Sequence, residues 1–83
     1  MATRNEIEAA ILALCEKRGP TKTICPSEAA RRVAGDDGPW RDLMDDVRRV
    51  GAALADQGRI EALQRGRIID IRSARGAIRF RMK

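Results

Sequence analysis

At 83 residues the chain supports one hydrophobic core and no second domain, because a domain of this size hides only about 60 to 65 per cent of its unfolded surface. Trp40 and Phe80 are its only aromatic side chains, which excludes the stacking platforms that single-stranded RNA readers use. The net charge of +5 is unevenly placed. Residues 1–58 carry nine basic and ten acidic side chains, whereas residues 59–83 carry eight basic against two acidic, net +6.

The elements follow in chain order. Thr3 with Glu6 three residues on is a capping-box pattern, and Ile7, Ala10, Ile11 and Leu14 recur on one face of the first helix, which stops at Gly19-Pro20. Thr21 to Cys25 is short and β-branched and runs into Pro26, which disfavours helix in the residue before it, so a short strand or extended linker is predicted. Pro26 suits the first turn of a second helix reaching about Ala34, with Glu28 near its positive end. Gly35 to Pro39 is a turn.

Leu43, Val47, Val50 and Leu54 are spaced as the core stripe of a third helix, with Trp40 and Gly51 on its flank and Gln57-Gly58 ending it. The period then changes to alternation. Arg59 to Gln64 and Ala77 to Met82 read as the two strands of a ribbon, joined by a loop from Arg65 to Gly76 that is too long for a tight hairpin. Ile68, Ile69 and Ile71 are candidates to pack back on the body. Three helices, a short strand and a C-terminal two-stranded β-ribbon wing make an α+β, winged-helix layout over residues 1–83.

Several stretches sharpen this reading: Thr23-Ile24-Cys25-Pro26-Ser27-Glu28-Ala29-Ala30-Arg31, Trp40-Arg41-Asp42-Leu43-Met44 with Val47-Arg48, Gly58-Arg59-Ile60, Gly66-Arg67 with Asp70, and Arg75-Gly76 with Ile78-Arg79. Together they resemble a small bacterial family of unknown function, across nearly the whole chain. The resemblance implies a winged-helix-type domain and carries no catalytic or binding residue with it. The sequence departs from the family pattern at Ile71 and Ala77, where prolines often stand, implying a less rigid end to the wing.

Chemistry narrows the function classes. There is no histidine, no nucleophile and base in suggestive spacing, and no phosphate-cradling glycine loop, so neither catalytic residues nor a cofactor are expected. Cys15 and Cys25 alone cannot complete a tetrahedral metal site. Cys25 near a helix start could be a reactive thiol or a small packed hydrophobe. No apolar h-region follows Met1 and no run approaches the roughly eighteen apolar residues of a membrane span, so the expectation is a cytoplasmic protein with reduced thiols and no membrane contact.

Binding remains. Lys22, Thr23 and Ser27 surround the start of the second helix, where free N–H groups favour phosphate, although the same residues can serve only as caps and Glu28 repels anions. On the third helix, a rotation of 100° per residue from Val47 turns Asp42, Asp45, Arg49 and Asp56 outward, with Arg41 and Arg48 on one flank. That face is mixed, suited either to base readout or to plain solvation. The wing offers Arg65, Arg67, Arg72 and Arg75 in its loop, and Arg79 and Arg81 on one face of its last strand with Lys83. Such a row can track phosphates or merely protect a strand edge. Two partners follow, double-stranded DNA gripped by the wing, or a protein met by the acidic third-helix face with Trp40. The oligomeric state is left open.

Overall fold

The computed structural model describes residues 3–83. Helix α1 (Arg4–Arg18) begins where the Thr3 hydroxyl accepts the Glu6 N–H at 3.2 Å, and it ends at Gly19, whose N–H donates to the Cys15 carbonyl at 3.0 Å. Its inward stripe is Ile7, Ala10, Ile11 and Cys15, with Leu14 only half-buried. Helix α2 (Pro26–Ala34) opens on Pro26, whose missing N–H costs nothing in a first turn. The expected third helix, with Trp40 on its flank and its end at Gln57-Gly58, divides. Residues Trp40–Leu43 form one 3₁₀ turn, and α3 (Met44–Asp56) follows. Pro39 fixes the approach and supplies no capping side chain, so the Asp42 N–H takes the nearer Pro39 carbonyl at 3.1 Å.

Strands β1 (Ile60–Gln64), β2 (Arg67–Ile68) and β3 (Arg79–Met82) form an antiparallel sheet in the order β2-β1-β3. This corrects the expected two-stranded ribbon: a third strand lies inside the segment read as loop, and the last strand begins at Arg79 rather than Ala77. The reason is the turn. Arg65 and Gly66 have φ of 53° and 79°, the two successive left-handed residues that let a two-residue connection match the strand twist. The chain therefore reverses at once and pairs Leu63 with Ile68 and Gln64 with Arg67 on the outer side of β1. On the inner side, β3 pairs Leu63 with Arg79 and Ile60 with Met82. The expected strand at Thr21 to Cys25 reduces to one bridge, in which Ile24 and Phe80 exchange N–H donors at 2.8 and 2.9 Å.

The core lies between the three helices and one sheet face, which contributes Ile60, Ala62 and Phe80. Phe80 is fully buried and its ring sits against α3 at Gly51, where a Cβ would meet the ring at 2.5 Å. Of the three isoleucines after the turn, Ile71 is buried and Ile69 half-buried, but Ile68 is 64% exposed. Its place on the opposite sheet face, across from Leu63, carries it away from the core. No helix among the described residues is long and apolar enough to cross a membrane. The architecture is α+β with a winged-helix-like topology.

Candidate nucleic-acid interface

The wing is built by its own turn and two side-chain braces. After β2 the chain turns at Asp70, whose carboxylate accepts the Arg72 N–H at 3.1 Å and the Ser73 hydroxyl at 3.2 Å. Arg48 on α3 then donates to the Ala74 and Gly76 carbonyls at 3.1 and 3.0 Å. Gln64, at the end of β1, donates to the carbonyls of Arg75 and Ala77. The returning loop is thus fastened to the helix on one side and to the hairpin on the other. Arg75 is brought beside the turn that carries Arg65 and Arg67. All three are exposed, and none has a carboxylate within 4.0 Å among the described residues.

The other candidate arginines are committed within the molecule. Arg72 pairs with Asp56 through both terminal nitrogens at 2.9 and 3.2 Å, which raises its pKa through the Asp56 hydrogen bond and charge. Arg49 pairs with Asp46 at 2.9 Å, and Arg81 with Glu61 at 2.9 Å across the β1–β3 pair. Arg79 donates to the Thr23 hydroxyl and, at 3.3 Å, to the Thr23 carbonyl. Arg79 has no carboxylate within 4.0 Å among the described residues, though its charge acts on Glu28 at longer range. Pairing with carboxylates neutralises Arg49, Arg72 and Arg81.

At the start of α2 the molecule provides its own anion. The Glu28 carboxylate accepts the Cys25 N–H at 2.7 Å and pairs with Arg18 at 2.6 Å. Burial pushes the Glu28 carboxyl up. The Cys25 N–H, the Arg18 hydrogen bond and the charges of Arg18 and Arg79 outweigh that and hold it below its ordinary value. The Ser27 hydroxyl lies 3.1 Å from the Cys25 sulfur, and Thr23 is engaged by Arg18 at 2.9 Å as well as by Arg79. Of the three residues marked at this helix start, only Lys22 is exposed to solvent.

Asp42 in the 3₁₀ turn and Asp45, Arg49 and Asp56 on α3 are all exposed. Arg41 does not stand alone: its guanidinium lies over the Trp40 ring at 4.4 Å, and that of Arg31, from α2, lies over the same ring at 4.3 Å. Arg31 was invisible to sequence reasoning as a site residue, since nine positions separate it from the indole and only the adjacent Trp40-Arg41 pair hints at cation–π contact. Comparison with curated proteins finds no match. The family model described as "Protein of unknown function (DUF3253)" matches residues 4–83, in agreement with the resemblance carried by the Thr23–Arg31 and Trp40–Met44 motifs, and the chain belongs to that family.

Proposed function

We propose that this domain binds duplex DNA through the phosphate backbone, with the tip of the wing as the contact and without base readout by α3. The observation that carries the reading is the clustering of Arg65, Arg67 and Arg75 at one exposed tip with no carboxylate partner among the described residues. Guanidinium forks match phosphate oxygens, and a hairpin tip is narrow enough to follow a groove edge. Lys22 and Arg79 extend the positive character along the same end of the sheet. The outward face of the 3₁₀ turn and α3 argues against insertion into the major groove, because Asp42, Asp45 and Asp56 outnumber Arg49 there.

Fluorescence anisotropy with a labelled random-sequence duplex tests the reading. With three or four phosphates engaged, the logarithm of the association constant is expected to fall against the logarithm of salt with a slope of about −3. The triple charge reversal R65E/R67E/R75E should abolish binding while leaving the amide spectrum folded. Absence of binding by the wild-type chain even at low salt would end the DNA reading. The competing reading, a protein-docking module using Trp40 and the acidic start of α3, rests on the Arg31–Trp40–Arg41 stack, whose two arginines are exposed while Trp40 is half-buried, and expects no duplex binding.

A further inference from the structure

A second site lies on the other side of α3 from the wing braces. Between α1 and α3 is a cleft of about 310 Å³. Its apolar lining is Ile7, Val50 and Ala53, and its polar lining is Arg4, Asp46, Arg49 and Arg72. Three guanidinium groups converge from three separate elements: the first residue of α1, the middle of α3 and the returning wing loop. With Asp56, which pairs with Arg72 from just outside the lining, three cations face two carboxylates, a net charge of +1 with Arg4 as the cation that has no carboxylate partner among the described residues. Asp46 and Asp56 steady two of these groups without exhausting them. Arg49 gives Asp46 one terminal nitrogen, and Arg72 gives Asp56 two, while each guanidinium carries five N–H donors.

We infer that this cleft is a binding site for a small organic acid, a carboxylate on a compact apolar body. The volume is at the lower end of ligand pockets, which typically combine an apolar lining with a few convergent polar groups. A carboxylate is the group the rim selects, because planar guanidinium forks bind it in bidentate fashion. The lining of Ile7, Val50 and Ala53 then takes the apolar body, and a ligand so placed joins α1 and α3 to the wing loop through Arg72. This site shares no residue with the wing tip, so it stands or falls independently of duplex binding.

Benzoate and its neutral isostere benzamide are the probes, titrated into the labelled whole chain and followed by amide and methyl NMR. Benzoate is expected to give saturable shifts at Ile7, Val50 and Ala53 with a Kd of about 1 to 10 mM, the range open to about nine heavy atoms. Benzamide should bind at least about tenfold more weakly, since the charged hydrogen bonds are lost. R4Q/R49Q, checked for an unchanged fold by its own spectrum, should weaken benzoate about fivefold or more. Equal shifts from the two probes, shifts spread over all basic residues, or a variant that binds benzoate like the parent would each overturn the assignment.

Discussion

Single residues set two of the tightest constraints in this domain. At Gly51 an added methyl would sit 2.5 Å from the Phe80 ring, which is itself fully buried. Alanine improves helix propensity by up to about 1 kcal/mol, but overpacking of a filled core costs about 1 to 3 kcal/mol. The ring is fully buried within the core cluster, so moving it displaces its neighbours as well, and the packing cost should win. Gly51→Ala is expected to lower stability by about 1 to 2 kcal/mol in urea unfolding, and a neutral or stabilising result would mean that the ring has room to move. Cys15 is constrained by its surroundings in another way. Burial pushes its thiol from 9.0 up to about 11, against a smaller downward pull from Arg18 and a further upward push from Glu28. Above pH 9 the unfolded thiol ionises while the native one holds its proton. The native state then binds more protons, and stability should fall by up to about 1.4 kcal/mol per pH unit between about pH 9 and 11. Cys15→Ala should remove that slope in a series of urea titrations across the same pH range.

Among the elements, the β1–β2 hairpin shows how fold and candidate site share residues. Arg65 adopts φ of 53°, a region in which most side chains are strained and asparagine is tolerated. Arg65→Asn is therefore expected to stabilise the hairpin by about 0.5 to 1 kcal/mol, raising Tm by about 2 to 8 °C. It also removes one cation from the tip, so the salt slope of duplex binding should become shallower by about 0.9. Calorimetry and anisotropy on the same variant separate the two effects. An unchanged slope would show that Arg65 serves only the turn. The hairpin also marks the boundary of what the sequence made legible. The three helices could be read from capping at Thr3, from Pro26 and from the Leu43–Val47–Val50–Leu54 stripe, because these signals are local. The turn could not, since Arg65-Gly66 lacks the Asn-Gly or Asp-Gly chemistry that announces a two-residue connection, and β2 is only two residues long. The site divided in the same manner. The arginine content of the wing was plain from composition. Which arginines are spent depended on Asp56, Glu61, Thr23 and the Ala74 and Gly76 carbonyls, partners sixteen to fifty-six positions away in sequence that become neighbours only once the chain has folded.

Over the whole molecule, charge is segregated. Of the seven carboxylates without an arginine partner among the described residues, Glu6, Asp36, Asp37, Asp42 and Asp45 lie toward the starts of α1 and α3, with Glu16 near the end of α1 and Asp70 in the wing loop, while Arg65, Arg67 and Arg75 make the wing tip itself basic. The longest dimension is 31 Å, about one Debye length at 0.01 M salt and about four at 0.15 M. At low salt, then, every carboxylate acts on a duplex held by the wing, and at physiological salt only those close to it do. Asp42→Asn/Asp45→Asn should therefore tighten duplex binding about fourfold at 0.01 M, given roughly 0.4 kcal/mol per charge pair at about 10 Å in water. If the wing holds the backbone while α3 stands off, most of that gain should vanish by 0.15 M. Should it persist undiminished, the carboxylates lie against the DNA and α3 enters the groove after all. The salt dependence of this one variant thus measures how near α3 comes to the duplex, a distance on which the whole backbone-only reading depends.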